Sequence, residues 1–197
     1  MMKLSMSMAI FGLIGTLAGC AGTPAPSYYT LDQGMPHFQA QGQAPSIAVT
    51  QISLPELIDR PQLVLRTADN QVRVSEYQRW AEPLRRQIPR VMADDLGRLL
   101  GSSRVVSVPV DGQGFDADFR LLLDVQHLEA NSGNGAEVDV LWRLEPRTGK
   151  VVVGRSQVRE PAGGGDTAAL VAAQRRALAT VAMEIAERLR SLPGGKP

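Results

Sequence analysis

The chain has 197 residues, 44% hydrophobic and 21% charged, which suits one globular domain and argues against global disorder. Lys and Arg (21) nearly cancel Asp and Glu (20), so there is no excess of the clustered cations with which a nucleic-acid or general polyanion binder neutralises phosphates. One cysteine and two histidines exclude an internal disulfide, a multi-cysteine zinc site and a histidine-rich metal centre.

Residues 1–20 have the layout of a secretory signal: Lys3, then an apolar run over 8–18, then small residues before the cysteine. The run is broken by Gly12, Gly15 and Thr16 and falls short of the about 20 apolar residues that a membrane-spanning helix needs. The junction Leu17-Ala18-Gly19-Cys20 resembles the lipobox of bacterial lipoproteins, in which the cysteine thiol takes a thioether-linked diacylglycerol and becomes the mature N-terminus. That resemblance makes 1–19 the signal peptide and Cys20 the lipidation site. Ala21 stands where an aspartate commonly retains such proteins at the inner membrane, which implies the outer membrane of a Gram-negative bacterium, facing the periplasm. Each buried acyl CH₂ contributes about 0.8 kcal/mol, so two or more chains anchor durably without help from a basic patch. Loss of 1–19 removes Lys3 and leaves a formally neutral chain. Residues 20–26 form a lipidated tether, small and rich in Pro and Gly, and the step from Cys20 to Ser27 spans at most about 25 Å.

The mature domain, 27–192, opens with strand propensity over 27–31 and a Gly/Pro/Gln-rich loop over 32–45. Residues 46–54 alternate as a strand, and 62–67 with 71–75 form a hairpin around Ala68-Asp69-Asn70. Over 80–100 the spacing of Trp80, Leu84, Ile88, Val91, Met92, Leu96 and Leu99 predicts an amphipathic helix stopped by Gly101. Pro83 suits its first turn, whereas Pro89 predicts a kink or a later start. A strand is expected over 104–109. Residues 118–129 alternate with Phe119, Leu121, Leu123, Val125 and His127 on one face. Residues 137–145 answer with Val138, Val140, Trp142 and Leu144 inward and Glu137, Asp139, Arg143 and Glu145 outward. A third strand follows over 150–160, then Gly163-Gly164-Gly165. A helix capped by Asp166 or Thr167 runs to about 192, with Leu170, Val171, Leu178, Val181, Ile185 and Leu189 as its apolar stripe; 193–197 is a tail. The expected architecture is a single-domain α+β fold, a mostly antiparallel sheet with one wet face and two principal amphipathic helices.

Catalytic signatures are missing from the sequence. It has no G-x-S-x-G elbow, no phosphate loop ending in Gly-Lys-Ser/Thr and no H-E-x-x-H. Gly163–Gly165 ahead of a helix could cradle an anion, but Asp166 would repel one, and a linker is the better reading. His127 reads as a satisfied, semi-buried histidine and His37 as a solvated loop residue. Asp111, Asp116 and Asp118 miss the EF-hand spacing. No catalytic residue, metal site or cofactor is expected.

The lipobox, then Tyr28-Tyr29-Thr30-Leu31, then Leu54-Pro55-Glu56-Leu57-Ile58-Asp59-Arg60-Pro61-Gln62-Leu63-Val64, then Arg79-Trp80-Ala81-Glu82-Pro83-Leu84 and the 172–179 segment resemble, in that order, the ABC-type transport auxiliary lipoprotein family. Pro89 is the departure from the pattern. The resemblance implies a non-enzymatic outer-membrane lipoprotein subunit of an intermembrane phospholipid transport system, supporting membrane integrity. It implies an MCE-family (mammalian cell entry) tunnel protein as partner, docked at its outer-membrane end, with a homo-oligomeric ring as one arrangement and no nucleic acid. A lipoprotein that scaffolds or activates a cell-wall synthase is the competing reading, disfavoured by the short tether. Arg60, Trp80 and Glu82 are either a partner- or subunit-facing patch or, more simply, a core tryptophan beside a structural Arg60–Glu82 ion pair.

Overall fold

A computed structural model describes residues 24–32, 44–108, 115–131 and 133–192. Its strands are β1 (Ser27–Tyr29), β2 (Ile47–Ser53), β3 (Gln62–Ala68), β4 (Gln71–Trp80), β5 (Val105–Ser107), β6 (Phe119–Asn131), β7 (Gly135–Pro146) and β8 (Val152–Glu160). Helix α1 (Leu84–Leu100) lies between β4 and β5, and α2 (Thr167–Arg190) closes the described chain. Strands and helices fall in the expected order, within an α+β single domain.

The eight strands form one sheet that forks at β6. On one side of β6 come β7 and β8, both antiparallel. On the other, the first half of β6 pairs in parallel with β2, which pairs in parallel with β5. The last residues of β6 pair in parallel with β3, which continues through the antiparallel hairpin to β4 and then to the parallel β1. The sheet is therefore mixed, and the expectation of a mostly antiparallel one holds only for its longest ladders. Residue alternation reports that a strand has one wet face, and short strands such as β2 and β5 carry no sign of their direction. Parallel neighbours need a crossover, and α1 supplies it between β2 and β5.

Both helices pack on the same face of the sheet, α1 over β2 and β5 and α2 over β6, β7 and β8, and they touch each other. The predicted stripe of α2 is buried from Leu170 to Leu189. Asp166 caps that helix, its carboxylate accepting from the Ala169 amide at 2.7 Å. Asp95 of α1 and Arg175 of α2 form a buried bidentate ion pair, 2.7 and 2.6 Å, across the helix interface.

The first helix corrects the sequence reading at its start. Trp80 ends β4, and Pro83 is the N-cap of a helix beginning at Leu84. Apolar spacing alone could not separate the strand's last inward residue from the helix stripe. The start at Leu84 does not keep Pro89 out of the helix: the proline is the sixth helical residue, and its missing N–H removes one ladder bond. Gly101, at φ 65°, stops it as expected.

On β6, Phe119, Leu121, Leu123 and Val125 are buried, but a β-bulge between Val125 and His127 moves the alternation by one residue. Leu128 and Ala130 go inside, and His127 is exposed, its Nδ1 3.6 Å from Glu129. The semi-buried histidine expected from unbroken alternation is overturned by that extra residue. On β7, Val138, Val140, Trp142 and Leu144 are buried as expected. Asp139 is on the predicted outer face yet is also buried, held by Arg155 at 2.9 and 2.6 Å and by Gln157 at 3.0 Å. Beneath α2 the indole of Trp142 lies across Gly154, where an added Cβ would fall 2.0 Å from the ring, and its Nε1 donates to Ser156 at 3.1 Å.

Candidate functional site

The segment between β2 and β3 leaves the sheet and returns to it. Pro55 starts a turn, its carbonyl accepting from the Ile58 and Asp59 amides at 3.1 Å. Leu54 and Ile58 are buried and fix the base of this excursion. Residues 59–61 then lie beside residues 80–83, the link between β4 and α1. The Trp80 amide donates to the Pro61 carbonyl at 2.7 Å, and on the other side Ala81 donates to Tyr29 of β1 at 2.8 Å. Between the two segments lies a cleft of about 410 Å³.

All three residues singled out in the sequence line this cleft: Arg60 on one wall, Trp80 and Glu82 on the other. Trp80 is buried, 6% exposed, so its ring is core and only an edge contributes to the floor. The Arg60–Glu82 ion pair does not form. Glu82 pairs instead with Arg90, nearly two turns into α1, at 2.8 Å, a helical side chain leaning back toward the N-terminus and so toward the cleft rim. Asp59 is likewise engaged, by Arg85 at 2.6 Å. Arg60 is exposed and its guanidinium has no ion-pair partner among the described residues. The cleft thus presents one uncommitted cation over an apolar floor, with its two acids already neutralised. Such a site suits a carboxylate or a run of backbone carbonyls better than it suits bond-breaking chemistry, which needs a nucleophile or a free acid–base pair.

Gln87 holds this arrangement together, and the sequence reading missed it. Fully buried, it accepts from the Leu31 amide at 2.8 Å and the Thr30 hydroxyl at 3.1 Å, and donates to the Glu82 carbonyl at 2.6 Å. One side chain therefore ties the exit of β1 to the cleft wall. The signal was present: Gln87 is a polar residue beside Ile88 on the inward stripe of α1, and buried polar groups are retained only with partners.

Other candidates disperse. Cys20, His37 and Asp111 lie outside the described residues. Asp116 pairs with Arg147 at 2.7 Å, while Asp118 accepts from the Ser46 amide and hydroxyl at 2.8 and 2.7 Å, which holds its carboxyl below the usual range. The Arg155 hydrogen bonds do the same for Asp139, and a bidentate Arg66 does it for Glu129. No group of three metal-ligating side chains is found among the described residues. Nor is any helix among them long and apolar enough to cross a membrane.

Comparison with known proteins places the fold. The crystal structure of an uncharacterized protein matches at TM-score 0.67 and 18% identity, covering 84% of this chain and 99% of that one. A Xanthomonas campestris protein matches at TM-score 0.56 and 21% identity, over 82% of this chain and 91% of its own. At such identities the likeness is one of fold. A PelC dodecamer from Paraburkholderia phytofirmans, at TM-score 0.44, 14% identity and 81% and 91% coverage, is too distant to argue from. No curated protein matches the sequence. The sequence model for ABC-type transport auxiliary lipoprotein components matches residues 29–186, and the chain belongs to that family.

Proposed function

We propose that this protein is a non-enzymatic lipoprotein subunit of an intermembrane phospholipid transport system, anchored at the periplasmic face of the outer membrane. Cys20 carries the acyl chains, residues 20–26 are the tether, and residues 27–192 are the working domain. The domain docks an MCE-family tunnel protein, as a single copy or as a homo-oligomeric ring, and so supports membrane integrity. Family membership over residues 29–186 carries this reading. The cleft supports it, because a lone exposed arginine over an apolar floor fits recognition of a protein segment, with Arg60 and Glu82 on the rim and Trp80 supporting them.

The test is affinity capture of the full-length chain from solubilised envelopes, with identification of what co-purifies. Recovery of an MCE protein together with an ATPase and a permease supports the proposal; recovery of a penicillin-binding protein replaces it with the cell-wall scaffold. Arg60→Ala should reduce the MCE yield while the Cys20 anchor stays intact. Cys20→Ser should move the protein out of the membrane fraction, and its retention there would remove the anchor from the proposal.

A further inference from the structure

Resting on the anchor just proposed, we infer that the sheet edge formed by β1 and the end of β4 is a bilayer-contact surface, with Tyr28 and Tyr77 as its interfacial side chains. Tyr28 is 62% exposed and Tyr77 44% exposed; they are the exposed aromatic side chains among the described residues. Both occur at one edge of the sheet. Tyr28 is in register with Arg79 across the β1–β4 ladder, and Tyr77 is two residues before Arg79 on β4. A tyrosine ring with a polar tip matches the headgroup zone, where an apolar body and a hydrogen-bonding end are both satisfied. Arg79, in register with Tyr28, adds a guanidinium that can meet lipid phosphates. The Arg79 Nε donates to the Glu76 backbone carbonyl at 3.4 Å, which leaves the two terminal guanidinium nitrogens to meet phosphate.

Chain length selects the occupant. Tyr28 is eight residues from Cys20, so it lies within about 28 Å of the acylated residue however the tether runs. The opposite edge strand, β8, is five strands away along the sheet, roughly 24 Å further at about 4.8 Å per strand. Exposure by itself does not mark the bilayer side, since Val153 on β8 is 66% exposed. The exposed aromatic side chains among the described residues are at the end that the anchor holds down, whereas the two arginines of β8, Arg155 and Arg159, are paired with Asp139 and Glu137.

The experiment uses the full chain, processed in a Gram-negative host and reconstituted into vesicles of phosphatidylethanolamine and phosphatidylglycerol. With the Cys20 thiol consumed by lipid, Tyr28→Cys, Tyr77→Cys and Val153→Cys each offer one thiol for an environment-sensitive fluorophore. The labels at 28 and 77 should shift to the blue on reconstitution and lose about half their emission to lipids spin-labelled near the headgroup, while the label at 153 should not respond. Labels at 28 and 77 that behave like the one at 153, in protein that floats with the vesicles, overturn the inference and leave the anchor standing. Wild-type protein that fails to float overturns both.

Discussion

Strands β6 and β7 pair along nearly their whole length with one register shift, whereas β3 and β4 carry two shifts within a shorter ladder. The first pair, with β8, lies under α2 and forms the scaffold. The second, with β1 and the excursion after Leu54, forms the arm of the fork and carries the cleft. Regular pairing commits every backbone group and every inward side chain to the sheet, which leaves nothing to present. The irregular arm gives up ladder bonds and gains an uncommitted arginine, two exposed tyrosines and a cavity. Stability should therefore concentrate in the scaffold and recognition in the arm, a division that substitutions can break.

The largest effect should come from the helix interface above the scaffold. Arg175→Ala removes the bidentate partner of buried Asp95, leaving it only the longer contact with Arg98 at 3.7 Å. It should destabilise the fold by about 3 kcal/mol in urea unfolding, the lower end of the range for breaking a buried pair. Asp95→Leu combined with Arg175→Met should recover most of that loss, because an apolar pair removes both desolvation penalties. A double variant as unstable as the single one would mean that the pair does more than neutralise itself.

Within the sheet, Gly154→Ala should cost about 1–3 kcal/mol, since the new Cβ would sit 2.0 Å from the ring of buried Trp142, whose Nε1 is tied to Ser156. The near-ultraviolet circular dichroism of Trp142 should change with it. In the arm, Gln87→Ala leaves the Leu31 amide and the Glu82 carbonyl without their partner and should cost about 1–3 kcal/mol. Its distinguishing readout is local: amide exchange at Leu31 should accelerate more than at Val140. Equal acceleration at both sites would show the arm and scaffold unfolding as one unit.

What the sequence revealed follows the same division. The alternation of β7 and the stripe of α2 were legible because each side chain there answers to one period and one neighbour layer. His127 was misplaced because a single extra residue, invisible to periodicity, moves everything after it to the other face. The strand-to-helix switch at Trp80 was missed because that residue fits both patterns. At the cleft, Arg60, Trp80 and Glu82 were legible as a group. Their pairing was not, since Arg90 and Arg85 reach the two acids only once α1 has begun at Leu84. The mixed sheet depended on which strands meet β6, a long-range matter that no local window contains.

Acid should weaken both regions together. Asp118, Asp139 and Glu129 are held below their ordinary pKa values by Ser46, Arg155 and Arg66 respectively. A lowered folded-state pKa means that the stabilisation is complete above the unfolded values, about 3.9 for Asp and 4.3 for Glu, and is lost as pH falls through the folded ones. The melting temperature should hardly change from neutral pH to about 5 and fall progressively below about 4. Asp139→Asn should flatten part of that acid limb, and an unchanged limb would remove Asp139 from the account.

The smallest effect on stability should be at the cleft rim, and its smallness is what makes the rim informative. Arg60 has no ion-pair partner among the described residues, so Arg60→Ala should change unfolding stability by less than about 0.5 kcal/mol. Glu82→Ala breaks only the half-exposed pair with Arg90, worth about 0–1 kcal/mol. If either variant keeps its melting temperature and loses partner yield in affinity capture, the loss belongs to recognition, because the fold has not registered the change. If Arg60→Ala instead melts several degrees lower, the guanidinium supports the excursion after Leu54, and this part of the arm is structural rather than a recognition surface.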